Sequence, residues 1–290
     1  MPLPKFDYQA PTSLKEAQTL LRDNPGAMVM AGGTDVLLQL DQLRPKLLVS
    51  LRRVPGLDTL AFDEQRGLRI GALVRLNQVS ALSAVRTHYV ALAEAIDAMA
   101  TVQVRNRGTV VGNVCRASPC ADTAAPLVAF GAAAVVASGD GEKTISLDEF
   151  FFGPGQTALK RGELLREVVV PCPKPSTGVS YHRISARSEV DIAAATVAVS
   201  LELDDGGVCV AARVVLGGVA PIPWRVKDAE QLLVGQSPRE ELFEEAGKLA
   251  MEQAQPICDV RASIEWRREV VRVMTVRALK QSFARAGGEA

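Results

Sequence analysis

The chain has 290 residues, with 33 Lys and Arg against 33 Asp and Glu and only two His. At ~150 residues per domain this length suggests about two domains, and the even charge excludes the broad basic surface of a general nucleic-acid binder. Hydrophobic residues make up 48%, enough for a large core, while 4% aromatics is too few for a single-strand surface built on base stacking. The start, Met1-Pro2-Leu3-Pro4-Lys5, has no charged-then-apolar targeting pattern. The most apolar stretch, 120–138, is interrupted by Asp122, Pro126 and Gly131, so no membrane span is expected and the chain reads as soluble and cytoplasmic. The cysteines are Cys115, Cys120, Cys172, Cys209 and Cys258. Their odd number and irregular spacing fit neither a disulfide framework nor a zinc set.

In chain order, Ser13-Leu14-Lys15-Glu16 is a capping box, and Leu14, Ala17, Leu20 and Leu21 follow at helical spacing. Asn24-Pro25-Gly26 stops that helix. A buried strand over 27–30 runs into Ala31-Gly32-Gly33-Thr34-Asp35. A helical turn or two over 36–43 and a strand over 47–51 complete a small β-α-β-like unit. Strands are predicted at 59–62 and 68–72, and helices at 77–85 and 89–100. Residues 105–113 read as a loop rich in small and polar side chains. A short helix at 126–130, a strand at 133–137, a loop at Gly153-Pro154-Gly155 and a strand at 164–170 follow. Pro171, Pro173 and Pro175 make a stiff connector, which sets the expected domain boundary: 1–175, with subdomains 1–57 and 58–175, then 176–290. Beyond it, 192–203 and 208–217 are β-branched runs joined by Asp204-Asp205-Gly206-Gly207, a hairpin signal. Helices are predicted at 227–233, 239–253 and 263–285.

Two segments carry candidate chemistry. Gly32-Gly33-Thr34 follows a buried strand. Glycines let backbone N–H groups approach a phosphate, and the Thr hydroxyl adds a donor. No Gly-Lys-Ser/Thr follows and the spacing is not G-x-G-x-x-G, so neither a Walker loop nor a Rossmann turn is present. A tight strand-to-helix turn is the other reading. The second segment, Thr109 to Asn113 followed by Ser118 and Asp122, can donate to an anion and accept from a hydroxyl. Together the two suggest one dinucleotide held between two subdomains. Arg105 and Arg107 either steer an anion or are solvated loop charges. His88 and His182 lack obvious partners, and Cys115 and Cys120 read as inert small residues.

Ala31-Gly32-Gly33-Thr34-Asp35 and Gly108-Thr109-Val110-Val111-Gly112-Asn113, continuing Ala117-Ser118-Pro119-Cys120-Ala121-Asp122, resemble the two flavin-binding motifs of the FAD-binding medium subunits of molybdenum hydroxylases, a family that includes xanthine, carbon monoxide and nicotinate dehydrogenases. The resemblance extends to Phe151-Phe152-Gly153-Pro154-Gly155-Gln156-Thr157, Glu163-Leu164-Leu165, Arg187, Asp191-Ile192-Ala193, Asp259-Val260-Arg261-Ala262-Ser263 and Trp266-Arg267, covering essentially the whole chain in order.

The resemblance implies an α+β chain: a two-subdomain FAD-binding fold like that of p-cresol methylhydroxylase and vanillyl-alcohol oxidase, then an antiparallel sheet with three helices. It implies an FAD pyrophosphate between Val29, Met30, Ala31, Gly32, Gly33, Thr34, Asp35 and Val36 on one side and Thr109, Val110, Val111, Gly112 and Asn113 on the other. Ser118 and Asp122 would lie on the ribose or adenine side, Met99 and Leu165 would pack near the flavin, and Arg183 stands where some members carry Lys. The family usually reads T-x-G-G-N, so Val111 replaces a Gly and places a side chain where the phosphate would approach. The extra iron–sulfur insertion of the 4-hydroxybenzoyl-CoA reductase branch is missing. By resemblance the chain is an electron-transfer oxidoreductase subunit with no catalytic acid or base of its own. It would work with a large molybdopterin-binding subunit and a small [2Fe–2S] subunit, as a dimer of heterotrimers, passing electrons through FAD to NAD or another acceptor. The chain has no metal site of its own in this reading, and a [2Fe–2S] cluster needs four thiolates. A free-standing FAD-dependent oxidoreductase and an FAD-free assembly module are the alternatives.

Overall fold

The computed structural model describes residues 4–187 and 190–288. The first residues of the N-terminal segment, 1–3, lie outside that range. The N-terminal unit is a three-stranded parallel sheet in which Leu47–Ser50 lies between Asp7–Gln9 and Ala27–Met30. Helix Leu14–Asp23 crosses over it, with Ser13 capping it by accepting from the Glu16 N–H; the return half of the predicted capping box shifts by one residue, because the Glu16 carboxylate accepts from the Thr12 N–H. The edge strand Asp7–Gln9 has three exposed residues and no alternating pattern, which is why the sequence did not reveal it.

A five-stranded antiparallel sheet follows, in the order Leu60–Asp63, Gly67–Gly71, Leu164–Val170, Ala133–Ser138, Gly141–Ser146. The sequence reading assigned no element to the last of these, which is the polar return arm of a hairpin with Ala133–Ser138. The two predicted helices become three, Leu76–Ala81, Ser83–His88 and Val90–Ala98, because the chain takes extended angles at Leu82 and breaks at Tyr89. Residues 105–113 are not one loop: Val102–Arg105 and Val110–Arg116 are both helical. The β-branched Val110 and Val111 argue against a helix locally, but both are buried with Val114 in the core, and burial wins.

The C-terminal sheet is antiparallel, in the order Thr177–Ser185, Ala193–Leu203, Cys209–Gly217, Trp224–Arg225, with helices Lys227–Leu233, Glu240–Gln253 and Ile264–Arg285 on one face. Thr177–Ser185 is the strand the sequence hid behind its proline connector. Side chains alternate between two cores: Val179, Tyr181, Ala198 and Val215 join the core of the first 170 or so residues, whereas Val197, Val199, Val214 and Leu216 pack beneath the C-terminal helices. The other face of the sheet therefore lies against helices Val90–Ala98 and Ala124–Ala129, and Ala124–Ala129 is buried throughout. Small side chains permit that close approach. No helix among the described residues is long and apolar enough to cross a membrane.

The tightest point in the C-terminal unit is Gly178, where an added Cβ would collide with the Ser282 carbonyl and sit 2.6 Å from the Ala286 nitrogen. Gly178→Ala is expected to destabilise the chain by about 1–3 kcal/mol through overpacking. An unchanged urea midpoint would contradict this packing.

Candidate functional site

Ala31 to Val36 is a half-buried turn that leaves strand Ala27–Met30 and drapes over the start of the second motif. Its position depends on Gly32. A Cβ there would lie far inside van der Waals contact with the Arg107 carbonyl oxygen, 2.8 Å from the Arg107 carbonyl carbon and 3.0 Å from Gly108 Cα. Gly108 in turn leaves room for the Thr34 hydroxyl, which lies 3.2 Å from where a Gly108 Cβ would stand. Gly33 has a φ of +78°, a conformation that glycine takes without cost. The two candidate segments, far apart in sequence, are thus in direct backbone contact.

Thr109 ends the approach. Its extended backbone and its Oγ1, which accepts from the Gly112 N–H at 2.9 Å, cap helix Val110–Arg116. The Asn113 N–H bonds the Thr109 carbonyl. In this first turn the Val110 N–H is taken up by the bridge between Thr109 and Arg75, and the Val111 N–H has no intrahelical acceptor. The Val111 side chain does not narrow the approach: it is 3% exposed and packed in the main core. That corrects the expectation attached to the missing glycine. Asn113 is braced from behind, its Oδ1 accepting from Thr123 Oγ1 at 2.6 Å.

The Asp35 carboxylate is already engaged. Arg116 ion-pairs with it at 2.5 Å and Gln39 donates to it at 3.0 Å, which ties the first turn to the helix of the second motif. The two arginines of the loop divide. Arg105 donates to the carbonyls of Met99 (2.7 Å) and Ala100 (2.9 Å) and to Asn77 Oδ1, fixing Ala100 at a φ of +49°. Arg107 is exposed, and no carboxylate among the described residues pairs with it, so it is the cation available to an anion. Met99 and Leu165 are both core residues, 9% and 3% exposed, forming apolar backing.

Ser118 and Asp122 lie in the turn beyond helix Val110–Arg116, against the C-terminal sheet. Ser118 Oγ accepts from the Cys120 N–H at 3.3 Å. Asp122 is buried and accepts, on Oδ1, from Tyr181 Oη at 2.8 Å and from Arg183 Nε at 2.9 Å. Burial raises its pKa, against the pull of Arg183 and Tyr181. Arg183 also donates to the Asp191 carbonyl, so it is an internal clamp and no free cation. Asp259, Arg261 and Arg267 wall the same region and act electrostatically on Cys120. Arg267, 1% exposed, donates to Asp259 at 2.6 Å and to the carbonyls of Ala194 and Gly218. Burial pushes the Cys115 thiol up to about 12 and raises Cys120 as well, so neither is a ready nucleophile. Sequence reading missed Tyr181. Its signal was the alternation Tyr181, Arg183 on a strand hidden by the proline run.

A separate cleft of about 690 Å³ runs along the connector, lined by Phe130, Cys172, Lys174, Arg213, Arg225 and Glu230 among others. Its cations are all spent: Lys174 on Glu202, Arg213 on Asp148, and Arg225 on Asp148 and Glu230. None of the candidate residues lines it.

Comparison with known proteins gives the chain's family. A family model described as "FAD binding domain in molybdopterin dehydrogenase" matches residues 4–173, and one described as "CO dehydrogenase flavoprotein C-terminal domain" matches residues 180–282. The xanthine dehydrogenase FAD-binding subunit of Escherichia coli O157:H7 is 30% identical over 97% of this chain and 97% of its own. Among solved structures, carbon monoxide dehydrogenase from Hydrogenophaga pseudoflava superposes with a TM-score of 0.93 at 32% identity, covering 98% of this chain and 99% of that one. Quinoline 2-oxidoreductase from Pseudomonas putida 86 gives 0.90 at 31% identity, covering 99% of each.

The wall at Asp259 yields a pH-dependent prediction. Burial opposes its charge, but the Arg261 N–H and the Arg267 and Arg261 guanidiniums outweigh burial and hold the carboxyl down at about 2. A depressed acid adds stability above its unfolded value, near 3.8, and loses it as pH falls through about 2. Asp259→Asn should therefore lower neutral-pH stability by about 3 kcal/mol, because it strands the buried Arg267. The gap to wild type should close between pH 4 and 2. A pH-independent gap would contradict the assignment.

Proposed function

Because the chain belongs to the FAD-binding subunits of the molybdopterin dehydrogenases, we propose that the paired motifs hold FAD and that the chain relays electrons through it. In this reading the pyrophosphate lies between residues 29–36 and 109–113. The carrying observation is the backbone contact of Gly32 with Arg107 and Gly108, which closes two distant segments into one cradle. The residues present fit the group. The Val111 N–H and the Thr34 hydroxyl are donors suited to phosphate, and Arg107 supplies a positive charge that no carboxylate among the described residues pairs with. Asp122 keeps one carboxylate oxygen free, an acceptor suited to a hydroxyl or imide N–H. Met99 and Leu165 provide apolar backing behind the motifs.

FAD supplies the redox chemistry when bound. The chain's own residues bind and orient it. The Arg116–Asp35 pair locks the first turn onto the second motif, and Arg105 fixes the Met99–Ala100 backbone. Arg183, Tyr181 and Asp122 join the motif-bearing part of the chain to the C-terminal sheet. No group of three His, Cys, Asp or Glu among the described residues is placed to hold a metal, so the reading assigns the molybdopterin cofactor and the [2Fe–2S] clusters to a large and a small partner subunit. The assembly is a dimer of heterotrimers, with NAD or another soluble acceptor taking the electrons. The functional division falls at 175, between an FAD-binding part, 1–175, and a C-terminal flavoprotein part, 176–290.

Purified chain is expected to be yellow and to release FAD, not FMN, on denaturation. Gly32→Ala is expected to weaken FAD binding at least ~10-fold, or ~1.4 kcal/mol, because its Cβ separates the two motifs. A folded Gly32→Ala variant with undiminished flavin would refute the cradle. The relay has its own check in anaerobic stopped-flow. Organic substrate should bleach the flavin only in the complex with both partner subunits. Reduction in the isolated chain would instead support a free-standing oxidoreductase, and a chain that never takes up FAD would support an assembly module.

A further inference from the structure

We propose that Tyr181 is a positioning residue for the cofactor: by donating its hydroxyl to Asp122 Oδ1, it orients the carboxylate so that Oδ2 remains free to accept a hydrogen bond from FAD. This rests on the FAD reading above and adds to it a residue that neither motif contains.

The geometry is specific. Tyr181 and Arg183 stand two residues apart on strand Thr177–Ser185, hence on the same face, and Asp122 docks onto that face from the turn after helix Val110–Arg116. Both donors converge on one oxygen, at 2.8 and 2.9 Å. No side-chain donor among the described residues bonds Oδ2; besides Tyr181 and Arg183, only the Asp122 backbone N–H steadies the carboxylate. A carboxylate with only 10% of its side chain exposed thus has both its side-chain donors on one oxygen and no side-chain partner on the other. Arg183 cannot fix this orientation alone. Its Nη2 is committed to the Asp191 carbonyl, so it grips Asp122 through Nε and gives up the bidentate fork that would otherwise lock a carboxylate. The second fixing point has to come from elsewhere, and it comes from Tyr181. The phenol ring is packed in the main core, so the hydroxyl reaches Asp122 from a rigid base.

The charged surroundings of Asp122 are few. Tyr181 and Arg183 face it from the strand and Cys120 from its own turn; Asp259, Arg261 and Arg267 of the C-terminal wall reach Cys120 beside it. Burial already raises the Asp122 pKa, and Tyr181 is one of the groups holding it back. Loss of the hydroxyl therefore lets the carboxyl take up a proton at a higher pH, which removes the acceptor.

The test is fluorescence titration of the full-length apoprotein with FAD across a pH series, comparing wild type, Tyr181→Phe, Asp122→Asn and the double variant. Tyr181→Phe keeps the ring and deletes only the donor. It is expected to bind FAD about fivefold more weakly at neutral pH, equivalent to ~1 kcal/mol, with affinity falling off at a higher pH than in wild type. In the Asp122→Asn background the same substitution should change affinity less than about twofold, since the effect runs through the carboxylate. As a second route, 3-fluorotyrosine at position 181 keeps the hydroxyl as a stronger donor and should move the fall-off to lower pH. Wild-type affinity for Tyr181→Phe at every pH, or an undiminished loss in the Asp122→Asn background, would overturn the positioning role while leaving the FAD reading intact. A wild-type chain that fails to bind FAD would overturn that reading itself.

Discussion

The absence of a side chain at Gly32 is the constraint on which the rest of the site depends. The turn leaving strand Ala27–Met30 must touch the backbone of Arg107 and Gly108, and no Cβ fits between them. Once that contact forms, other features follow. Thr34 comes to lie beside Gly108, and Arg116 reaches Asp35. A turn that alone is merely tight becomes half of a cradle because another segment closes on it.

The second constraint is parity along the C-terminal sheet. Alternate residues of Thr177–Ser185 serve different cores. Val179, Tyr181 and Arg183 look toward the motif-bearing part, while the Ser180 hydroxyl turns to the Ala278 carbonyl of the long helix. The C-terminal unit therefore contributes directly to the environment of Asp122. It also supplies Arg267 and Asp259, whose ion pair also engages Arg261 near Cys120. A one-residue slip of that strand would bury the wrong groups on both faces.

Much of this was legible in the sequence where local signals and burial agree. The capping box at Ser13, the hairpin through Asp204-Asp205-Gly206-Gly207, the three C-terminal helices and the glycine turn were all readable, as was the family resemblance. Elements were missed where local and long-range forces disagree. Val110 and Val111 looked unlike a helix until their burial was known. Asp7–Gln9 and Gly141–Ser146 are exposed strands held by partners distant or polar, and Thr177–Ser185 follows a proline run that reads as linker. At the site, the sequence showed the glycines but not their contact. It placed a side chain at Val111 in the path of a ligand, when core packing turns that side chain away. It could not separate Arg105, which staples a backbone turn, from Arg107, which is free. Tyr181 was invisible because its partner lies 59 residues away in sequence.

The central claim is that one ligand is held jointly by the two segments joined at Gly32. Hydrogen exchange of the backbone amides, with and without saturating FAD, tests it most directly. Residues 31–36 and 109–113 should gain protection together, at the same FAD concentration. Protection confined to one segment, or appearing instead along the connector cleft around Cys172 and Arg213, would contradict it.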